Sequence, residues 1–341
     1  MKDTDGGAKP SSPTRRAVCK ALAAAPLAAP FVSVALRRAF AQPGYPSRPV
    51  RFVLPFGAGG VADATSRLAA EKLGEKLGQR FVVENQPGAG GINAVRAVIT
   101  AGADGHTLGL VTNGTAISVS LVKAFPADPV NEFAMISMLG TFDLVFVVNQ
   151  DSKFQTLPDV IDAARKSPGR INVGTINVGS TQNLGAELFK FTAGIEVQVV
   201  PYRNSPEIVV ALLRNDVDLM IDFYAAVRGQ VQDGKVRAIA VSSPQRSAIL
   251  PNVPTVREAG GGDYEVTSWN GMFAPRGTPG EIIAVLNKAI RETVEVPDIK
   301  RQFAEVGIEA RASSPDELKT RLRNDIEKWA KVIDRAGIPK Q

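Results

Sequence analysis

Thiols, imidazoles and aromatic rings are scarce in this chain of 341 residues. It holds one cysteine, one histidine and 6% aromatics. The cysteine, Cys19, lies near the front, so no thiol occurs from residue 42 onward. That excludes a disulfide framework, a thiolate metal site and a cysteine nucleophile for the body of the chain. One histidine cannot build a multi-histidine zinc centre. His106, within Asp104-Gly105-His106-Thr107, reads instead as a turn residue entering a strand. No metal site and no cofactor are predicted, and the usual nucleophile–base pairs of enzymes are sparse.

A positive surplus is also missing from the body. The formal charge is +6 and the isoelectric point near 9.4, but residues 1–41 carry seven basic and two acidic side chains. The remaining 33 basic and 32 acidic side chains nearly cancel. No Lys/Arg stripe of the kind a phosphate backbone needs is left, so a nucleic-acid partner is excluded.

The one long apolar run lies at the front. Thr14-Arg15-Arg16-Ala17-Val18-Cys19-Lys20 precedes an apolar stretch over 21–36, and Ala39-Phe40-Ala41 follows before Gln42. Charged segment, apolar segment and small-x-small site in that order predict a secretory signal over 1–41, cleaved near Ala41. The paired arginines resemble a twin-arginine signal. A run of about sixteen residues, broken by Pro26 and Pro30, is short for a membrane anchor, which needs about 20. The expectation is an exported, periplasmic protein.

Beyond Tyr45, β-rich runs and helical patterns alternate. Strands are predicted at 50–55, 81–84 and 107–112, with helices over 62–77 and 92–100. The cadence restarts after 144–149, with helices over 157–165, 181–191 and 206–213 among strands at 171–173, 197–200, 217–222 and 237–242. A β-like stretch over 266–274 leads into helices over 281–294, 297–306 and 315–336. Such alternation predicts an α/β protein of mainly parallel sheets flanked by helices. Two series, with late helices returning to the first, predict two lobes. Lobe 1 takes 42–146 and 269–341, lobe 2 takes 147–268, and two crossing strands near 144–149 and 269–275 form the hinge.

The glycines gather where strands pass into helices. Pro55-Phe56-Gly57-Ala58-Gly59-Gly60-Val61-Ala62-Asp63 follows the first strand, and Asn85-Gln86-Pro87-Gly88-Ala89-Gly90-Gly91 the second. Thr112-Asn113-Gly114-Thr115 follows the third. In the second series, Gly174-Thr175-Ile176-Asn177-Val178-Gly179-Ser180-Thr181 has the same setting, and Asp222 ends a strand. Strand carboxyl ends are where open α/β sheets place ligands. Glycine lets the backbone approach closely, and helix starts offer free N–H groups to an anion. Loops lined by N–H groups and hydroxyls, without Lys or Arg, suit a carboxylate. Asp63 is expected to fix loop geometry, and Asp222 to receive an amine or hydroxyl. The competing reading is an exported dinucleotide-dependent oxidoreductase. Gly57-x-Gly59-x-x-Ala62 matches the dinucleotide fingerprint, and Glu84 stands where a ribose-binding acid belongs. Against it, no hydride-transfer set accompanies the motif.

With these loops stand further landmarks: Tyr45-Pro46-Ser47-Arg48-Pro49-Val50, Val83-Glu84-Asn85, Val199-Val200-Pro201-Tyr202, Val217-Asp218-Leu219-Met220, Leu250-Pro251 with Val253-Pro254-Thr255, and Ala274-Pro275 with Gly277-Thr278-Pro279. In this order they resemble the Bug-type substrate-binding proteins of tripartite tricarboxylate transporters, from Tyr45 to Ile338. The resemblance implies a type II periplasmic-binding fold whose lobes close on a small carboxylic acid. It also implies handover to membrane transporter subunits, with no catalysis and a monomeric receptor; an orphan receptor serving a sensor is the variant of this reading. Loops and resemblance together mark Phe56, Ala58, Gly59, Gly60 and Asp63 as ligand-binding. They mark Gly88, Ala89, Gly90, Gly91, Thr112 and Thr115 as well, and Asn177, Ser180, Thr181 and Asp222 in the second lobe. Gly57, Val61, Ala62, Ile176, Val178, Asn183 and Phe223 depart from the residues usual in that family and remove polar groups. The expected ligand is therefore less polar than citrate.

Overall fold

The computed structural model describes residues 44–341, of which Pro46–Gln341 form one compact unit. The leader read at 1–41 lies outside the described residues. Among the described residues, no helix is long and apolar enough to cross a membrane.

The chain opens with parallel β/α units. Strand β1 (Val50–Leu54) lies between β2 (Phe81–Asn85) and β3 (Thr107–Thr112), parallel to both. Helix α1 (Val61–Leu77) links β1 to β2, and α2 (Ile92–Ile99) links β2 to β3. Glycine sets the end of α1: Gly78 adopts φ 73° and donates to the Gly74 carbonyl, a left-handed stop that a Cβ would strain. Two elements emerge that the alternation did not predict, α3 (Asn113–Leu121) directly after β3 and the short α4 (Pro129–Glu132).

Next comes β4 (Phe133–Asn149), a strand of 17 residues nearly all buried. Its first part pairs antiparallel with β9 (Thr267–Pro275) as far as Asp143, opposite Thr267. From Leu144 onward it pairs with β7 (Leu219–Phe223) and β8 (Val236–Val241), again antiparallel. The first sheet thus reads β2-β1-β3-β9-β4, with the short β10 (Glu309–Ala310) also on β4. The second continues from β4 through β7 to β5 (Asn172–Ile176) and β6 (Gln198–Tyr202), where the pairs are parallel. Both sheets are mixed: the β/α units are parallel as their alternation predicts, while the crossing strands run against them. The pairing changes sheet at Asp143/Leu144 on one crossing and just before Thr267 on the other.

Helix α5 (Leu157–Lys166) precedes β5, α6 (Thr181–Ala193) follows it, and α7 (Ser205–Leu213) follows β6. Helix α8 (Tyr224–Gln232), also unpredicted, follows β7. Three late helices, α9 (Gly280–Val294), α10 (Pro297–Glu305) and α11 (Pro315–Arg335), return to the first sheet's side of the chain. Local chemistry starts these helices. Thr156 with Asp159 and Ser314 with Glu317 form reciprocal caps, each with proline in the first turn, which satisfies N–H groups the helix cannot pair itself.

The apolar cores explain the topology. Phe146 on β4 meets Phe189 of α6 and Tyr264 edge-on at 5.1 and 5.7 Å. Phe133 and Phe273 stack at 3.8 Å between β4 and β9. Trp269 and Trp329 are buried in the same core, and each indole N–H finds an acceptor, as a buried donor must. His106 is a buried turn residue: its backbone N–H binds Asp104 Oδ1 at 2.9 Å, and Nε2 accepts from the Ser47 N–H at 3.3 Å.

Candidate functional site: helix starts converging on the strand ends

Helices α1, α3 and α6 each begin at the carboxyl end of a parallel strand. The first-turn N–H groups of such a helix lack partners inside it and carry the positive end of its dipole. Helix α1 starts at Gly60 with no side-chain cap. Gly57, Ala58, Gly59 and Gly60 are all exposed, so their backbone is open to a ligand. Phe56, 39% exposed, extends its ring toward Gly114 at the start of α3.

Asp63 anchors this loop. Its Oδ2 accepts from the Gly59 N–H at 2.9 Å and from Arg67 Nε at 2.9 Å, while Oδ1 accepts from Asn85 Nδ2 at 2.9 Å. Asn85 also donates to the Phe56 carbonyl and accepts from Arg67. The guanidinium of Arg67, with the Gly59 and Asn85 donors, outweighs the effect of burial and holds the carboxyl down at about 2. Asp63 is therefore ionised and fully engaged in holding Gly59 at φ 87°. Glu84, the acid of the dinucleotide reading, is bound by Arg51 through both oxygens at 2.9 and 2.8 Å.

Gly88, Ala89, Gly90 and Gly91 form a tight turn before α2, with φ of 120°, 64° and 86° at the three glycines. A Cβ on Gly90 would stand 3.1 Å from Ser118 Oγ, and one on Gly91 3.1 Å from Pro55. This turn is thus seated on α3 and on the loop after β1. Thr112 and Thr115 cap α3 reciprocally, at 3.1 and 3.3 Å. Their hydroxyls serve the cap, which leaves the N–H groups of Asn113 and Gly114 as the donors at this helix start.

In the second sheet, Asn177 and Val178 are exposed at the tip of the loop after β5. Ser180 caps α6 by accepting from the Asn183 N–H. Asn183 in turn accepts from the Gly179 N–H at 3.1 Å. Thr181 is 8% exposed and Asp222 1%. Asp222 Oδ1 accepts from Gln182 Nε2 at 2.8 Å and from the Phe223 N–H at 2.7 Å, while Oδ2 has no partner among the described residues. Burial pushes this carboxyl up, opposed in part by the Ser205 hydroxyl, the Gln182 amide and the Phe223 N–H.

The two sheets' loops meet. Asn113 Nδ2, on the first residue of α3, donates to Thr181 Oγ1, on the first residue of α6, at 2.9 Å. A Cβ on Gly179, whose φ is 81°, would lie 2.5 Å from Leu121 of α3. Asn113 lies within the Thr112–Thr115 loop that the sequence singled out but was not named as a ligand residue, and Trp329 reads from the sequence as a core residue, which it is. An asparagine beside the predicted threonines was the available signal; the hydrogen bond from Trp329 to Asn113 carried none.

A separate cavity of about 240 Å³ flanks the crossing strand, lined by Phe142, Asp143, Val145, Tyr224, Ile249 and Ile308 among others. None of the predicted ligand residues lines it. Among the described residues, no group of three or more His, Cys, Asp or Glu side chains is placed to hold a metal ion.

Two sheets joined by crossing strands, with helix starts gathered at the strand ends, define a periplasmic-binding-protein fold. The chain belongs to the tripartite tricarboxylate transporter family of receptors, whose family model matches residues 65–338. It is 33% identical over 295 residues to Protein BugT of Bordetella pertussis, covering 86% of this chain and 90% of that one. An R. palustris protein, Rpa4515, solved with adipate, superposes with a TM-score of 0.75 at 33% identity, covering 86% of this chain and 99% of its own. MatC from Rhodopseudomonas palustris, solved with bound malate, gives 0.70 at 29% identity, covering 85% and 100%. Fold and family are those of substrate-binding receptors rather than enzymes.

Proposed function

We propose that this protein is an exported receptor that captures a small carboxylic acid between its two sheets and delivers it to a tripartite membrane transporter. The observation that carries the reading is the convergence of α3 and α6, whose first residues touch through Asn113 and Thr181 at 2.9 Å. Two helix starts from different sheets aim uncompensated N–H groups at one place, and the uncapped start of α1 adds a third. A carboxylate satisfies such donors without a cationic side chain. The adipate and malate bound by the two relatives support the ligand class.

The ligand is less polar than citrate, in this reading. Phe56 and Val178 are exposed apolar side chains, 39% and 47% open, on loops of the two sheets. Val61 and Phe223 pack into the apolar cluster of Phe142, Phe303 and Ile308 beside them. The lobes, 42–146 with 269–341 and 147–268, move about the two crossings. The ligand shifts the population toward the closed arrangement by its higher affinity for it.

A thermal-shift screen against mono-, di- and tricarboxylic acids, followed by calorimetry, tests both points. A ligand at a hundred times its dissociation constant stabilises the protein by about 2.7 kcal/mol. No shift with any acid would overturn the receptor reading, and citrate binding tighter than every aromatic and dicarboxylic acid would overturn the ligand preference.

A further inference from the structure

Trp329, near the end of the chain, sits behind the junction of the two helix starts. Its indole Nε1–H donates to Asn113 Oδ1 at 2.7 Å, across 216 residues of sequence. Asn113 is 1% exposed, Trp329 1% and Thr181 8%, so water does not compete for these bonds.

The polarity of this chain of contacts is forced. An indole nitrogen is a donor only, so the Asn113 oxygen must face Trp329. The amide group then points its nitrogen at Thr181, and that nitrogen only donates. Thr181 Oγ1 must accept. Its own hydroxyl proton is left over, and among the described residues no acceptor takes it. Thr181 opens α6, where its backbone N–H and that of Gln182 are also without helical partners. The leftover proton thus belongs to the same set of donors.

We propose that Trp329 and Asn113 are positioning residues that keep the Thr181 proton available to a ligand carboxylate: with its oxygen held by Trp329, Asn113 has no acceptor to offer that proton. The relay thus keeps a hydroxyl donor available to an acceptor on the ligand. This rests on the carboxylate reading above. In addition, Asn113 stands between the two sheets, so the relay is complete only while the two helix starts are together.

Calorimetry with adipate, malate and benzoate on the purified protein tests it, using T181V, T181S and W329F. T181V, nearly the same shape without the hydroxyl, should bind the best of these acids about ten- to a hundredfold more weakly, the loss expected for a hydrogen bond to a charged group. T181S, which keeps the hydroxyl, should recover most of the affinity that T181V loses. W329F, which frees the Asn113 amide to turn over and accept the Thr181 proton, should weaken binding when Thr181 is present. It should add nothing in the T181V background. Should W329F fail to fold, N113S enters the same cycle. Equal losses from W329F (or N113S) in both backgrounds mean a structural role only and overturn the proposal, as does wild-type affinity in T181V. If the wild type binds none of the acids, the carboxylate reading falls and the proposal with it. If it binds them and T181V binds equally well, the proposal alone falls.

Discussion

Asp143 and Thr267 face each other as the last registered pair of β4 and β9, where both strands leave the first sheet. Burial raises the Asp143 carboxyl to about 6. Glu309 on β10 and Glu265 ahead of β9 add to the rise, and the Ser243 and Thr267 hydroxyls oppose it. Lys300 of α10 lines the neighbouring cavity and pairs with Glu295, while Arg321 and Lys328 of α11 lie against Glu265. The folded state therefore holds the Asp143 proton more tightly than the unfolded chain. Its contribution is fully present below the ordinary carboxylate range near 3.8 and is lost as pH rises through about 6, at most roughly 3 kcal/mol. Denaturant titrations from pH 4 to 7 should reveal this decline, and D143N should flatten it.

Asp63 has the opposite sign. Its carboxyl is depressed to about 2, so its contribution is present above the unfolded value and vanishes as pH falls through that range. D63N should cost on the order of 1–3 kcal/mol by unpairing Arg67 and the Gly59 N–H. It should also weaken ligand binding, because Gly59 loses its tether. Parallel unfolding and calorimetric titrations would separate the two effects.

Ser242 ties the crossings together. Its hydroxyl accepts from the Leu144 N–H at 2.8 Å and donates to the Val266 carbonyl at 2.5 Å, fully buried. S242A leaves both backbone groups without that partner, and a loss of about 1–3 kcal/mol is expected. Faster amide exchange at Leu144 would locate the damage at the crossing.

Gly179 controls how the second-sheet loop seats on α3. G179A meets Leu121 at 2.5 Å and a backbone of φ 81°, so both sterics and strain oppose it. Affinity should fall more than tenfold. The midpoint of thermal unfolding should move only modestly, since the loop tip contributes little to the core.

Much of the architecture was legible in the residues. The runs at 50–55, 107–112 and 315–336 differ from the observed elements by at most a residue, because their apolar spacing and caps act locally. The glycine loops were legible for the same reason: a sharp strand-to-helix turn demands glycine whatever packs above it. Helix α3 was missed because Asn113-Gly114-Thr115 reads as a turn, whereas the Thr112–Thr115 cap makes it a helix start. The crossings were expected at 144–149 and 269–275 but change sheets at Asp143/Leu144 and before Thr267, since the partner of each strand residue is set by segments distant in sequence.

The sequence by itself determined the β/α order, the place of the uncharged loops at strand ends and the charge contrast between the first 41 residues and the rest. These follow from short-range periodicity and composition. Only the tertiary structure decided that Asp63 belongs to Arg67 and Asn85, that Asp143 is buried at a crossing, and that Trp329 orients Asn113 against Thr181. The Asn85 and Trp329 contacts pair polar groups across distant segments, and a buried group such as Asp143 acquires its protonation state only when packing removes the water around it.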